Sequence, residues 1–245
     1  QAFYSNRKMT SVVIPEGVKD VGTNAFFSCN KLTEISIPNS LEYVDSFAFN
    51  TFTVTAIDKI PANLKWIGES AFQSSKIAAV GLLTHIGNKA FNRSTVETLS
   101  LPQSLTEYGD HIFYDCVNLS YVELPANMKE LPKGIFWGCK ALKRINLPNG
   151  ITKIGDGAFY NSGMERITLP NSVTEIGEWA FAWLSNMKTI DIPNGVETVG
   201  YNAYIYTKGV ETINTGSGVT RIGKYAFHTW EVDLGGAPVM NVKTE

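Results

Sequence analysis

The chain has little of what catalysis or membrane insertion would need. Histidine and cysteine each occur three times in 245 residues. Lysine plus arginine number 21 against 23 aspartate plus glutamate, a formal net charge of −2. No excess of one sign therefore points to nucleic acid or an anionic membrane as the partner. No run approaches the roughly 18 consecutive apolar residues of a membrane-spanning helix. Residues 1–5 carry no basic stretch, apolar run or cleavage pattern. The protein is therefore intracellular, or its targeting segments lie outside this sequence.

What the chain has instead is a period. Aligned on Ala-Phe, with Ile sometimes before the ring, anchors fall at Phe3, Phe26, Phe49, Phe72, Phe91, Phe113, Phe136, Phe159, Phe181 and Phe227, and Tyr204 substitutes once. Most intervals are 22 or 23 residues, and the short one before Phe91 is a four-residue deletion. Pro15, Pro38, Pro61, Pro102, Pro125, Pro148, Pro170 and Pro193 keep step 11 residues ahead of a ring, with Val80 and Gly216 replacing proline in two copies. A repeat of this length marks a stacked array and is the first feature to establish.

Each copy reads approximately L-x-x-I-x-I-P-x-x-L-x-x-I-G-x-x-A-F-x-x-C. Leu119, Val122 and Leu124 before Pro125 alternate as a half-buried strand does. Proline then ends the strand because it has no N–H for a ladder. Pro38-Asn39 and Pro148-Asn149 are turn chemistry. A second extended piece follows, carrying Ile151 and Ile154 in one copy. Gly22, Gly68, Gly155 and Gly223 are then expected to allow a tight bend. The Ala-Phe segment is expected to form a short helical turn that drops its ring inward. One copy cannot bury this apolar set, so neighbours must stack.

These residues resemble the leucine-rich repeats, and the proline with the I-G-x-x-A-F element resembles the BspA-like bacterial surface type. The usual leucine-rich asparagine is not at its customary offset, which fits that subclass. The resemblance covers nearly the whole chain. It implies a mostly β solenoid of about ten repeats with short helical turns, a curved right-handed superhelix with a parallel sheet on one face. Residues 1–245 are expected to form a single array, a fragment of a longer one because both ends fall inside a repeat. The resemblance also implies an extracellular or cell-surface location and an adhesive role, with a host extracellular-matrix or host surface protein as partner.

Chemical motifs are weak against this background. Cys29, Cys116 and Cys139 share one column, three residues after the ring, where other copies place Phe52, Ser75, Ser94, Ser162 or Leu184. That column reads as a small buried slot, with a Cys116–Cys139 bridge as the alternative; no Cys-x-x-Cys pair suggests zinc. His85, His111 and His228 occupy different columns, so no Ser-His-Asp or Cys-His set is expected. The reading is a non-enzyme with no cofactor, no metal site and no catalytic residues.

Outward columns are where a solenoid binds. Five residues after the proline position most copies are polar, yet Tyr43, Trp66 and His85 follow one another there. Directly after the anchor ring, Tyr114, Trp137 and Tyr160 do the same, and Asn50, Gln73 and Asn92 in that column suggest at least half exposure. Each row is either a binding strip or a cross-strand stack. On the first strand, residues two and four before the proline face outward, including Lys59, Tyr121, Arg144 and Arg166. The leading function is a non-catalytic module contacting another protein. A structural spacer and a glycan-binding surface built on the aromatic columns are the alternatives.

Overall fold

The computed structural model describes residues 2–50, 61–75, 82–228 and 239–242. Phe52, Lys59, Val80 and Trp230 lie outside them. Two compact units, Gln1–Pro125 and Ala126–Glu245, are distinguished by their internal contacts. Each is a parallel β-solenoid.

Among the described residues the coils carry two short extended pieces, and where they form strands these pair in parallel with the equivalent piece of a neighbouring coil. The alternating segment before the proline gives the first ladder. In the first unit Ser11–Val13 pairs with Glu34–Ser36, and Thr98–Ser100 with Tyr121–Glu123; in the second, Thr189–Asp191 pairs with Thr212–Thr215, which pairs with Val239–Val242. The second piece gives the more continuous ladder. It runs through Asp20–Val21, Tyr43–Val44, Trp66–Ile67, His85–Ile86 and Glu107–Tyr108 in the first unit. Glu130–Leu131, Lys153–Ile154, Glu175–Ile176, Thr198–Val199 and Arg221–Ile222 form it in the second. In-phase pairing puts equivalent residues in rows. Val44, Ile67 and Ile86 are fully buried one above another, so their neighbours must face out.

Inside the coils the anchor rings stack. In the first unit Phe26–Phe49 and Phe49–Phe72 lie 5.4 and 5.5 Å apart with planes within 16°. The widest step, 6.3 Å, is Phe72–Phe91, where the four-residue deletion falls. In the second unit Phe159–Phe181 and Phe181–Tyr204 stand 5.2 and 4.9 Å apart, planes within 10°. Tyr204 is buried like the rings it replaces, and that burial raises its hydroxyl's pKa.

The glycine after the second ladder is required for a reason other than bending. Gly68 and Gly87 do not have left-handed backbones; instead, a Cβ added to either would sit 2.5 Å from Ser46 N or 2.6 Å from Glu69 N. Only hydrogen at this position lets the preceding coil's backbone come so close.

The Ala-Phe segment is a run of tight turns, and the expected helical turn is not what forms. Among the described residues, every non-glycine residue with a left-handed backbone lies two before or two after an anchor ring, as Asn24 and Ser28 do around Phe26. Alternate N–H groups then point two ways. Those of Ala25, Phe27 and Cys29 donate back to Gly22, Asn24 and Phe26 carbonyls within the coil. Those of Asn24, Phe26 and Ser28 donate to Ser46, Ala48 and Asn50 carbonyls of the next coil at 2.8–3.1 Å. The turns closed at Ala25 and Cys29 carry a positive φ at their third residue, Asn24 and Ser28, as type II turns do. The alternation gives the coils a third hydrogen-bonded seam.

Two substitutions check this arrangement by urea unfolding. Phe72→Ala, which removes a fully buried ring with neighbours on both sides, should cost about 3–5 kcal/mol. Lys89→Gly, at an exposed left-handed position, should gain about 0.5–1 kcal/mol by relieving the Cβ penalty. A stability loss at Lys89→Gly would contradict the turn geometry.

Candidate functional site

The described residues contain no group of three or more His, Cys, Asp or Glu able to hold a metal ion. All three cysteines are free and buried. The Cys29 thiol donates to the Phe3 carbonyl at 3.1 Å and the Cys116 thiol to the Phe91 carbonyl at 2.9 Å. Burial pushes the Cys116 thiol up to about 12, so at neutral pH it is a packed group and not a nucleophile.

The first outward row sits on the second ladder of the first unit. Cα pairing aligns Asp20, Tyr43, Trp66, His85 and Glu107. Trp66 and His85 stack at 3.4 Å with planes 3° apart. His85 Nδ1 meets Glu107 Oε2 at 3.1 Å. Tyr43 and Trp66 keep 39% and 37% of their surface exposed, although both stand on a hydrogen-bonded strand. Beside them Glu42 holds Lys65 at 2.6 Å and Lys19 at 3.3 Å. Those lysines, Lys65 first, depress its carboxyl pKa. The row thus combines one stacked pair, Trp66 and His85, with rings held in strand register and partly exposed.

The row next to the anchor rings is divided between the units. In the first, Tyr114 lies tilted against His111 at 5.8 Å. In the second, Trp137 stacks on Tyr160 at 3.9 Å, and a Cβ on Gly157 would meet the Trp137 ring at 2.9 Å. The column is less exposed than its asparagines suggested. Asn50 is buried, donating to Gln73 Oε1 at 3.1 Å, and Trp137 and Tyr160 are half-buried.

From Tyr160 the rings continue along a path that column reading missed. Trp179 lies 6.2 Å from Tyr160, Tyr201 6.0 Å from Trp179, and Tyr225 6.3 Å from Tyr201, all steeply inclined to one another. Lys224 Nζ stands 4.7 Å over the Tyr225 ring. The path steps from one column to another, which is why no single column showed it. A partial signal was present: Trp179 and Tyr225 occupy left-handed positions where half of the coils place Asn, Ser or Gly, although Phe47, Lys89 and His111 stand there too. Bulky residues are rare in that conformation.

On the first strand, Tyr121 is exposed in the first unit and pairs with Thr98. In the second unit Arg144 and Arg166, one coil apart, line the same groove of about 310 Å3 with Asn146, Asn149 and Thr168.

The chain matches the BspA type leucine-rich repeat region (6 copies) over residues 1–120 and 106–231. Its structure is similar to that of a leucine-rich repeat protein from Bacteroides ovatus at 28% identity and a TM-score of 0.68, the match covering 91% of this chain and 53% of that one. A leucine-rich repeat protein from Eubacterium ventriosum shares the fold at 22% identity and a TM-score of 0.62, covering 87% and 65%. So does the pneumococcal vaccine antigen PcpA, at 21% identity and 0.58, covering 89% and 66%. The chain spans between about half and two thirds of the length of these proteins. No protein with a curated description matches it.

The cysteine assignment is checked by thiol titration at pH 8. Folded protein should label with a maleimide far more slowly at Cys116 than urea-unfolded protein does. All three thiols should be counted after unfolding without a reductant. Rapid labelling of folded Cys116, or a missing thiol, would contradict buried packing.

Proposed function

We propose, for a chain that belongs to the BspA-type leucine-rich repeat family, that it is a non-catalytic module which binds another protein through its outward rows. It acts outside the cell or on its surface, with residues 1–245 working as one array and adhesion as the role. The observation that carries the reading is the row Tyr43, Trp66 and His85. Large rings are held in strand register on hydrogen-bonded backbone, with two of them well exposed. Anchors held this way lose little conformational entropy on binding, and aromatic residues dominate binding energy at protein interfaces. Tyr121 in the first unit, and Arg144 and Arg166 in the second, are further candidate contacts on the first-strand side of their own units.

A second reading is favoured by one observation. The ring path Trp137, Tyr160, Trp179, Tyr201 and Tyr225 crosses successive coils, and its inclined rings leave Tyr201 and Tyr225 exposed. Such a strip suits the flat faces of a carbohydrate chain, so a glycan array belongs beside the protein screen.

The test is Trp66→Ala against a panel of purified host extracellular-matrix proteins. Binding to a panel member should weaken about 30-fold, the loss of one anchor worth about 2 kcal/mol. The melting temperature should barely move, since the His85 stack contributes about 0.2–1 kcal/mol. Unchanged binding with a large stability loss would make the row purely structural. No binding to any panel member would count against the module.

A further inference from the structure

The groove at Arg144 and Arg166 has a structural origin that points to its ligand. Over the coils of residues 130–181 the second ladder is intact, Glu130↔Lys153↔Glu175. So is the turn seam, with Phe136 N–H to Ala158 O and Phe159 N–H to Ala180 O at 2.8 Å. The first ladder is not. Residues 144–147 and 166–169 form no strand. Among the described residues, the one backbone hydrogen bond joining these two segments or their flanks is Glu165 N–H to Lys143 O at 3.0 Å. The coils are closed on two sides and splayed on the third.

Splaying opens a groove on each side of residues 166–169. The one toward Arg144 holds about 310 Å3; the other, about 300 Å3, is walled by Thr168, Asp191 and Asn214. Asn214 Nδ2 donates to Asp191 Oδ1 across one coil step at 2.6 Å.

Charge singles out the first groove. Directly beside the arginines Lys143 pairs with Glu165 at 3.0 Å, and farther along this unit Lys153 pairs with Glu175 at 2.9 Å and Lys188 with Glu211 at 3.1 Å, so neighbouring coils there face opposite charges. Arg144 and Arg166, each four residues before its proline, instead place two guanidinium groups in successive coils. Both are exposed, and among the described residues neither makes an ion pair. Two guanidinium groups in adjacent coils raise the local positive potential, and a bound carboxylate offsets it.

We infer that this groove binds an acidic, extended peptide segment of the protein partner, which rests on the binding-module reading above. The two arginines clamp an aspartate or glutamate carboxylate, for which their planar forks are suited. Backbone groups that the splayed strands do not use on each other pair with the peptide main chain, as in strand addition. The volume lies at the small end of ligand sites, so a few residues fill it. A sulfated glycan would use the arginines but not the strand edges, so both features together favour peptide.

The test selects binders from a displayed library of random eight-residue peptides on the whole chain. Enriched peptides should carry aspartate or glutamate. Arg144→Ala and Arg166→Ala should each weaken the best of them at least about tenfold, and added salt should weaken it further. Arg166→Gln should leave the melting temperature unchanged or raise it, which a structural role for the pair would not. Enrichment without acidic residues, or binding that survives the double Arg→Ala variant, overturns the proposal. So does capture of a sulfated glucan with no acidic peptide enriched. Matrix-protein binding that ignores both arginines removes the groove alone, whereas no protein binding anywhere removes the reading beneath it.

Discussion

No coil of this protein can bury its own ring, and the rest follows from that constraint. A 22–23-residue unit places one phenylalanine on a surface whose cover can come only from the next copy. Rings 5–6 Å apart set the separation of the coils, and the backbone has to follow. It does so through three seams, two short parallel strands and a chain of tight turns, each joining adjacent coils by backbone hydrogen bonds; the turn N–H groups donate to the next coil and those of the second ladder to the preceding one. At Gly68 and Gly87 the preceding coil's backbone comes close enough that a Cβ would strike it.

Function enters through what the stacking leaves outside. Because inward positions are fixed by packing, the sequence is free to vary between them, and register turns such variation into rows. Asp20, Tyr43, Trp66, His85 and Glu107 become neighbours although about 20 residues separate successive members. A rigid row needs little ordering on contact, so a solenoid can carry binding anchors without a pocket. Where a seam opens, as at residues 144–147 and 166–169, a groove appears as well.

Much of this was legible in the sequence. The period, the prolines and the anchor rings specified stacked coils, and the shared column of Cys29, Cys116 and Cys139 identified thiols that are buried and free. The Tyr43–Trp66–His85 row followed from counting, since strand register preserves columns. Three features did not follow. The Ala-Phe segment was read as helical because apolar spacing outweighed the Asn, Ser and Gly residues two positions either side, which were the turn signal. The ring path from Trp137 to Tyr225 changes column from coil to coil, so only coordinates join it. The splayed strand beside Arg166 has ordinary strand sequence. Nothing in its local pattern separates it from the segments that pair, so its missing ladder shows only in the coordinates.

The central claim is that the coils are held by contact with their nearest neighbours. A double-mutant cycle on the first unit tests it directly by urea unfolding, comparing Phe49→Ala with Phe72→Ala and Phe26→Ala with Phe72→Ala. The stacked pair Phe49 and Phe72 should show a coupling of about 0.5–3 kcal/mol, while Phe26 and Phe72, separated by a coil, should add within about 0.5 kcal/mol. Equal coupling in both pairs, or none in the stacked pair, would contradict the account.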